Sequence, residues 1–148
     1  MSYSAEKTRA ANDELEKKII KDRSDWGGKI QDLVQLIKSM NSLSECQVYM
    51  LSYRQTLLDK VSDFKTNIYK RNAVWERHFK SKWREYSLNY DLKLTNGEKT
   101  QFIKADLSDL KTQISLLESH VDYYLECIRT LDNMAFAIRN RIRLDDDE

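Results

Sequence analysis

The chain has 148 residues, no proline, three glycines, 33% charged residues and a formal net charge of +1. This length fits a single domain, residues 1–148, and the near absence of helix-breaking residues predicts an all-α fold of long helices joined by few short loops. No apolar run approaches the ~18 residues that a membrane span needs, the chain does not start with a signal-peptide pattern, and the two cysteines fit no metal spacing. We therefore expect a cytoplasmic protein without a metal or cofactor.

The first part of the chain, residues 1–42, is predicted to form short helices. Trp26-Gly27-Gly28 is typical of a break, so a polar, marginal helix should precede it and a short amphipathic helix should follow it, ending near Met40. Residues 41–44 should form a loop. A long helix is predicted over residues 44–88, because apolar residues recur there on one narrow face.

The last part of the chain is predicted to form one long helix over residues 98–143. Thr95 and Glu98 have the spacing of a capping box, which marks its start. The acidic end, residues 144–148, should be disordered.

From Ile103 to Ile142 an apolar residue occupies every a and d position of a heptad repeat. Such a heptad seam requires a partner helix. A helix of this length is longer than a compact chain of 148 residues can cover, so we expect other copies of the chain to cover it. Additional apolar residues at e and g positions predict an assembly larger than a dimer. The positions assigned to oligomerisation are Leu107, Leu110, Ile114, Leu117, Val121, Tyr124, Ile128, Leu131, Ile138 and Ile142.

Residues 65–84 carry seven basic residues and one acidic residue, Glu76. Lys70, Arg77 and Arg84 recur every seven residues and share one helical face, with Lys80 beside them. Phe64, Trp75, Phe79 and Tyr86 are predicted to pack in the core, whereas Tyr69 and Trp83 are predicted to lie off the apolar face.

A row of cations beside aromatic rings that lie off the apolar face is typical of a single-stranded nucleic-acid site. The cations bind phosphates along the strand, and the rings stack on unpaired bases. The predicted DNA-binding residues are Lys70, Arg77, Lys80, Lys82, Trp83 and Arg84.

Two other interpretations remain open for the same residues. The basic face could simply be solvated, which would leave a structural coiled-coil scaffold, or it could bind anionic lipid as a peripheral membrane-binding bundle. Catalysis has little support, since neither His78 nor His120 has a carboxylate, serine or cysteine in a recognisable arrangement. We therefore predict that the protein is not an enzyme.

Several short motifs follow the basic helix in a characteristic order. They are Lys99-Thr100, Ala105-Asp106, Leu110-Lys111, a cysteine in the next helix and Phe136-Ala137-Ile138-Arg139. Over residues 65–142 this order resembles the UvsY family of recombination mediators from T-even-like phages. The Lys-x-Arg pair of that family corresponds to Lys80-Ser81-Lys82, with Tyr86 after it, so Lys82 replaces the arginine. Residues 1–60 show no match to the family.

The resemblance implies a protein that forms ring-like homo-oligomers and binds single-stranded DNA. It also implies a recombination mediator, which helps to load a RecA-like recombinase onto DNA covered by single-strand-binding protein. The expected partners are single-stranded DNA, further copies of the chain, the recombinase and the single-strand-binding protein, with no membrane. For a phage-encoded chain the expected location is the host cell cytoplasm.

Overall fold

A computed structural model describes residues 3–88 and 93–146. These residues form four α-helices and one 3-10 turn, and they contain no strand, so the all-α prediction is confirmed. The helices are α1 (Ala5–Ile37), α2 (Leu43–Leu88), α3 (Asn96–Asp106) and α4 (Ser108–Asp146), and the 3-10 turn is Met40–Ser42. Within the described ranges no helix is both long and apolar enough to cross a membrane.

Helix α1 is continuous for 33 residues, so the break predicted at Trp26-Gly27-Gly28 is wrong. The physical reason is burial on both sides of the glycines: Trp26 is 2% exposed and Leu33 is 1% exposed. Burying two such side chains is worth several kcal/mol, which exceeds the roughly 1 kcal/mol that each glycine costs inside a helix.

Helix α2 matches the prediction for residues 44–88 to within one residue at its start. The loop expected over residues 41–44 is shorter than predicted, because the 3-10 turn ends at Ser42 and α2 begins at Leu43. The buried residues of α2 all lie in the first half of that helix, and the last of them is Val61. The second half of α2 therefore has only half-buried and exposed side chains.

The helix predicted over residues 98–143 is divided into α3 and α4 at Leu107, whose φ and ψ are −100° and 14°. The division is local, because the Leu107 N–H still bonds to Ile103 O at 3.0 Å and the Lys111 N–H bonds to Leu107 O at 3.1 Å. The capping box of Thr95 and Glu98 is confirmed, with both of its hydrogen bonds present. Helix α4 extends to Asp146, so residues 144–146 are helical and not disordered, while residues 147–148 lie outside the described residues.

The structure divides into two compact units, and α1, α2 and α4 contribute residues to both. The first unit comprises Met1–Lys18 and Lys65–Ser119. Within it, Asn12 Nδ2 donates to Asp109 O at 2.8 Å, which joins α1 to α4, and the Tyr86 hydroxyl donates to Asp106, which joins α2 to α3. The residues buried in this unit are Asn12, Ile103, Leu107, Leu110, Gln113, Ile114 and Leu117.

The second unit comprises Ile19–Phe64 and His120–Glu148. Trp26 meets Tyr53 edge to face, with ring centroids 5.7 Å apart, and Phe64 meets Tyr124 in the same way at 5.4 Å. These contacts join α1 to α2 and α2 to α4. The residues buried in this unit are Ile19, Trp26, Leu33, Leu43, Cys46, Met50, Leu57, Val61, His120, Val121, Tyr124, Cys127, Ile128, Leu131 and Ile138.

The heptad seam is therefore largely buried by its own chain. All the residues assigned to oligomerisation are buried except Ile142, which is half-buried. The premise that other chains must cover this helix is wrong, because α1 and α2, with 33 and 46 residues, are long enough to supply helical partners. A role of the seam in joining copies stays a prediction.

Candidate nucleic-acid interface

Four cations on the second half of α2 form an exposed row, which we call the basic stripe: Lys70, Arg77, Lys80 and Arg84. Because a spacing of seven residues returns a helix to nearly the same face, Lys70, Arg77 and Arg84 lie above one another, as predicted. Among the residues that the structure describes, no carboxylate forms an ion pair with any of the four. Their charges are thus available to an anionic ligand.

Lys82, which is also among the predicted DNA-binding residues, lies outside the basic stripe. It is half-buried, and its Nζ lies 3.6 Å from Glu85 Oε2 and 4.0 Å from Asp106 Oδ2. Asp106 also accepts a hydrogen bond from the Tyr86 hydroxyl. Two carboxylates therefore lie near the charge of Lys82, one on α2 and one on α3.

Trp83 does not lie off the apolar face, so that part of the sequence analysis is wrong. Its side chain is half-buried, and its ring stacks on Phe79 with centroids 6.2 Å apart and an interplanar angle of 20°. The physical reason is the spacing: residues four apart on a helix are neighbours on one face. Lys99 of α3 places its Nζ 5.2 Å from the centroid of the Trp83 ring.

Trp83 belongs to a row of rings that we call the aromatic ladder: Trp75, Phe79 and Trp83. Trp75 and Phe79 have centroids 5.1 Å apart, and Lys111 Nζ lies 5.9 Å from the Trp75 ring centroid. All three rings are half-buried. Trp75 and Phe79, which were predicted to pack in the core, therefore lie at its edge. Lys111 of α4 covers the Trp75 ring, and Lys99 of α3 covers the Trp83 ring.

His78 adds little positive charge to this surface at neutral pH. Burial lowers its pKa, and the nearby charges of Arg77 and Lys82 lower it further. Its ring lies 5.3 Å from that of Tyr3. The positive charge of this surface therefore rests on its lysines and arginines.

Several residues near the candidate interface were not predicted from the sequence. Lys99 and Lys111 cover the aromatic ladder from other helices, and sequence periodicity within α2 gives no signal for them. Tyr69 was placed off the apolar face, but it was not assigned to the site. Its side chain is 77% exposed.

No group of three or more histidine, cysteine, aspartate or glutamate residues that could hold a metal ion occurs in the described part of the chain. Comparisons with protein-family models, with curated proteins and with solved structures give no match to this chain. The similarity to UvsY-like mediators therefore remains a prediction from the sequence motifs.

Proposed function

We propose that this protein is an oligomeric single-stranded-DNA-binding recombination mediator. In this proposal the basic stripe binds the sugar-phosphate backbone, and several copies of the chain bind one strand. The bound strand is then presented to a RecA-like recombinase on DNA covered by single-strand-binding protein.

The observation that carries the DNA-binding part is the exposure of Lys70, Arg77, Lys80 and Arg84 on one helical face. Surface cations usually gain little from isolated ion pairs, but a row of them that forms no ion pair with a described carboxylate gains from releasing the counterions of a nucleic acid. Four contacts per copy give a weak site. Several copies on one strand would bind much more tightly, because each further contact forms at high effective concentration.

The recombinase and the single-strand-binding protein enter the proposal only through the family resemblance. The motifs at Lys99-Thr100, Ala105-Asp106 and Leu110-Lys111 lie on α3 and α4 in the first unit. Assembly into more than a dimer rests on the heptad repeat together with that resemblance.

The proposal is tested by replacing Arg77, Lys80 and Arg84 with glutamine and measuring binding to a labelled oligo(dT) by fluorescence anisotropy over a range of salt concentrations. We expect weaker binding and a flatter dependence of affinity on salt. Each lost phosphate contact should reduce the magnitude of the log–log slope by about 0.7.

A matched control removes the same number of charges from another exposed surface, by replacing Lys7, Lys18 and Lys21 of α1 with glutamine. This control should bind nearly as the wild type does. Equal affinity of the two triple variants and the wild type would contradict the proposal and favour a structural scaffold. If the wild-type protein binds anionic liposomes but not oligo(dT), the result favours the interpretation as a peripheral membrane-binding bundle.

A further inference from the structure

The aromatic side chains of the first unit differ sharply in what covers their rings. Trp75, Phe79 and Trp83 stack along the aromatic ladder, and Tyr86 stacks on Phe102 with ring centroids 6.0 Å apart. Tyr3 packs against His78. In residues 3–88 and 93–146, no ring or cation contact involves Tyr69, which is 77% exposed.

Tyr69 lies next to the basic stripe along α2. It directly precedes Lys70, and Lys80 follows it after about three helical turns, which returns a residue to nearly the same face. The separation along the axis is about 16 Å at ~1.5 Å per residue. A strand whose phosphates contact Lys70 and Lys80 would therefore pass the open ring of Tyr69.

The neighbours of Tyr69 leave its ring accessible. Ala73, one turn later on the same face, is too small to cover an aromatic ring, and Lys65, one turn earlier, is an exposed cation. A ring with so much exposed surface contributes little to packing, but it offers a flat apolar face beside positive charge.

We propose that Tyr69 is the base-stacking residue of this interface, in place of the predicted Trp83. This inference rests on the proposed DNA-binding function and deepens it. Phosphate contacts alone do not distinguish single strands from duplexes, whereas stacking on a side chain requires a base that is free of its own stack. Tyr69 thus gives the basic stripe a preference for unpaired nucleic acid.

The test replaces Tyr69 with alanine and with phenylalanine, and measures the affinity of each variant for oligo(dT) and for an abasic oligonucleotide of the same length. Tyr69→Ala should weaken oligo(dT) binding by about tenfold for one stacked base. It should leave binding to the abasic strand and the slope of the salt dependence unchanged. Tyr69→Phe should restore oligo(dT) affinity, because the ring is retained.

Two control variants guard against indirect effects. Tyr49→Ala removes another exposed tyrosine of α2, 41% exposed and located in the second unit, and should bind as the wild type does. Trp83→Ala should lower the thermal melting temperature, because its ring packs on Phe79, whereas Tyr69→Ala should not.

The outcomes separate this inference from the proposed function. Wild-type affinity of Tyr69→Ala for oligo(dT), or an equal loss on the abasic strand, overturns the role of Tyr69 while leaving the basic stripe in place. If the wild-type protein binds neither oligonucleotide, the proposed function fails and the inference fails with it.

Discussion

At the scale of single residues, His120 is a buried titratable group that forms hydrogen bonds through both of its ring nitrogens. It is 1% exposed, its Nε2 lies 2.8 Å from Asp22 Oδ2, and Arg23 Nε donates to its Nδ1 at 3.3 Å. Because Nδ1 accepts a hydrogen bond, the proton of the neutral ring sits on Nε2 and is donated to Asp22. The Tyr124 hydroxyl donates to the same carboxylate. This network joins α1 to α4 within the second unit.

The network predicts that acidification destabilises the fold. Burial and the charges of Arg23 and Lys60 lower the pKa of His120, the Asp22 carboxylate raises it, and the net shift is downward. As the pH falls through about 6.5, the unfolded chain binds a proton that the folded His120 resists, so the free energy of unfolding decreases. Asp22 acts in the same direction at lower pH. Burial raises the pKa of Asp22, but hydrogen bonds from Tyr124 and His120 together with the charges of His120 and Lys60 lower it, and the net shift is downward.

Urea unfolding on either side of about pH 6.5 measures this effect. We expect a lower midpoint on the acid side for the wild type and a clearly smaller difference for His120→Asn. His78→Asn is the comparison, because the pKa of His78 is also lowered but its side chain is only half-buried. An unchanged pH dependence in His120→Asn would show that the network does not titrate in this way.

Single residues also show where sequence patterns stop being informative. The exposure of Lys70, Arg77, Lys80 and Arg84 followed from their helical spacing, and the structure agrees. The environments of Lys82 and Trp83 depend on Asp106 and Lys99, which belong to α3. Periodicity within one helix carries no information about side chains on another helix, so the surroundings of Lys82 could not be predicted in this way. The position of Trp83 was misjudged within α2 itself, because its ring stacks on Phe79, four residues earlier. DNA binding by either residue stays a prediction.

At the scale of elements, the sequence predicted α2 and the start of α3 well, because an apolar face and a capping box are local signals. It failed at the continuity of α1. Gly27 and Gly28 are a strong local signal for a break, but the packing of Trp26 and Leu33 is a tertiary effect that outweighs it. The division between α3 and α4 at Leu107 has no glycine or proline beside it, so no local signal in the sequence marks it.

The continuity of α1 leads to a stability prediction for Gly27→Ala and Gly28→Ala. Both glycines are exposed within a helix, and a Cβ atom at either position would have no heavy atom within 4 Å apart from its chain neighbours and the adjacent backbone of its own helix. Each substitution should therefore stabilise the protein by about 0.5–1 kcal/mol, through reduced entropy of the unfolded chain and higher helix propensity. The urea midpoint measures this gain, and the double variant should show approximately the sum.

Gly97→Ala is the matched control for these two variants. Gly97 lies in the first turn of α3, where its Cβ would stand 3.9 Å from Thr95 Oγ1, so the gain should be smaller than in the interior of α1. A loss of stability in Gly27→Ala or Gly28→Ala would show that α1 is interrupted there in solution.

At the scale of the whole molecule, the heptad repeat has two possible partners. The sequence predicted other copies of the chain, whereas the structure buries all the a and d residues except Ala135 and Ile142, in both of its units. The repeat identifies an apolar helical face, but it does not tell whether the partner helix lies in the same chain. Chain length decides little here, because three long helices provide one another with partners.

The two possibilities predict different outcomes for Leu117→Asp. Leu117 is 3% exposed in the first unit. A carboxylate without a partner there should cost several kcal/mol, out of the roughly 5–15 kcal/mol that stabilise a typical domain. If the seam is intramolecular, the variant should lose much of its helicity in circular dichroism. If the seam only joins copies, helicity should persist while the mass measured by light scattering falls.

Leu125→Asp is the matched control on the same helix, because Leu125 is 41% exposed and lies outside the a and d positions. This variant should keep wild-type helicity. A change in its mass by light scattering would therefore reflect contacts between copies and not unfolding. We expect Leu117→Asp to unfold and Leu125→Asp to remain folded. If Leu117→Asp stays folded and its mass falls, the seam is the oligomer interface that its heptad pattern predicts. Measuring both masses with and without oligo(dT) then tests whether DNA binding depends on assembly.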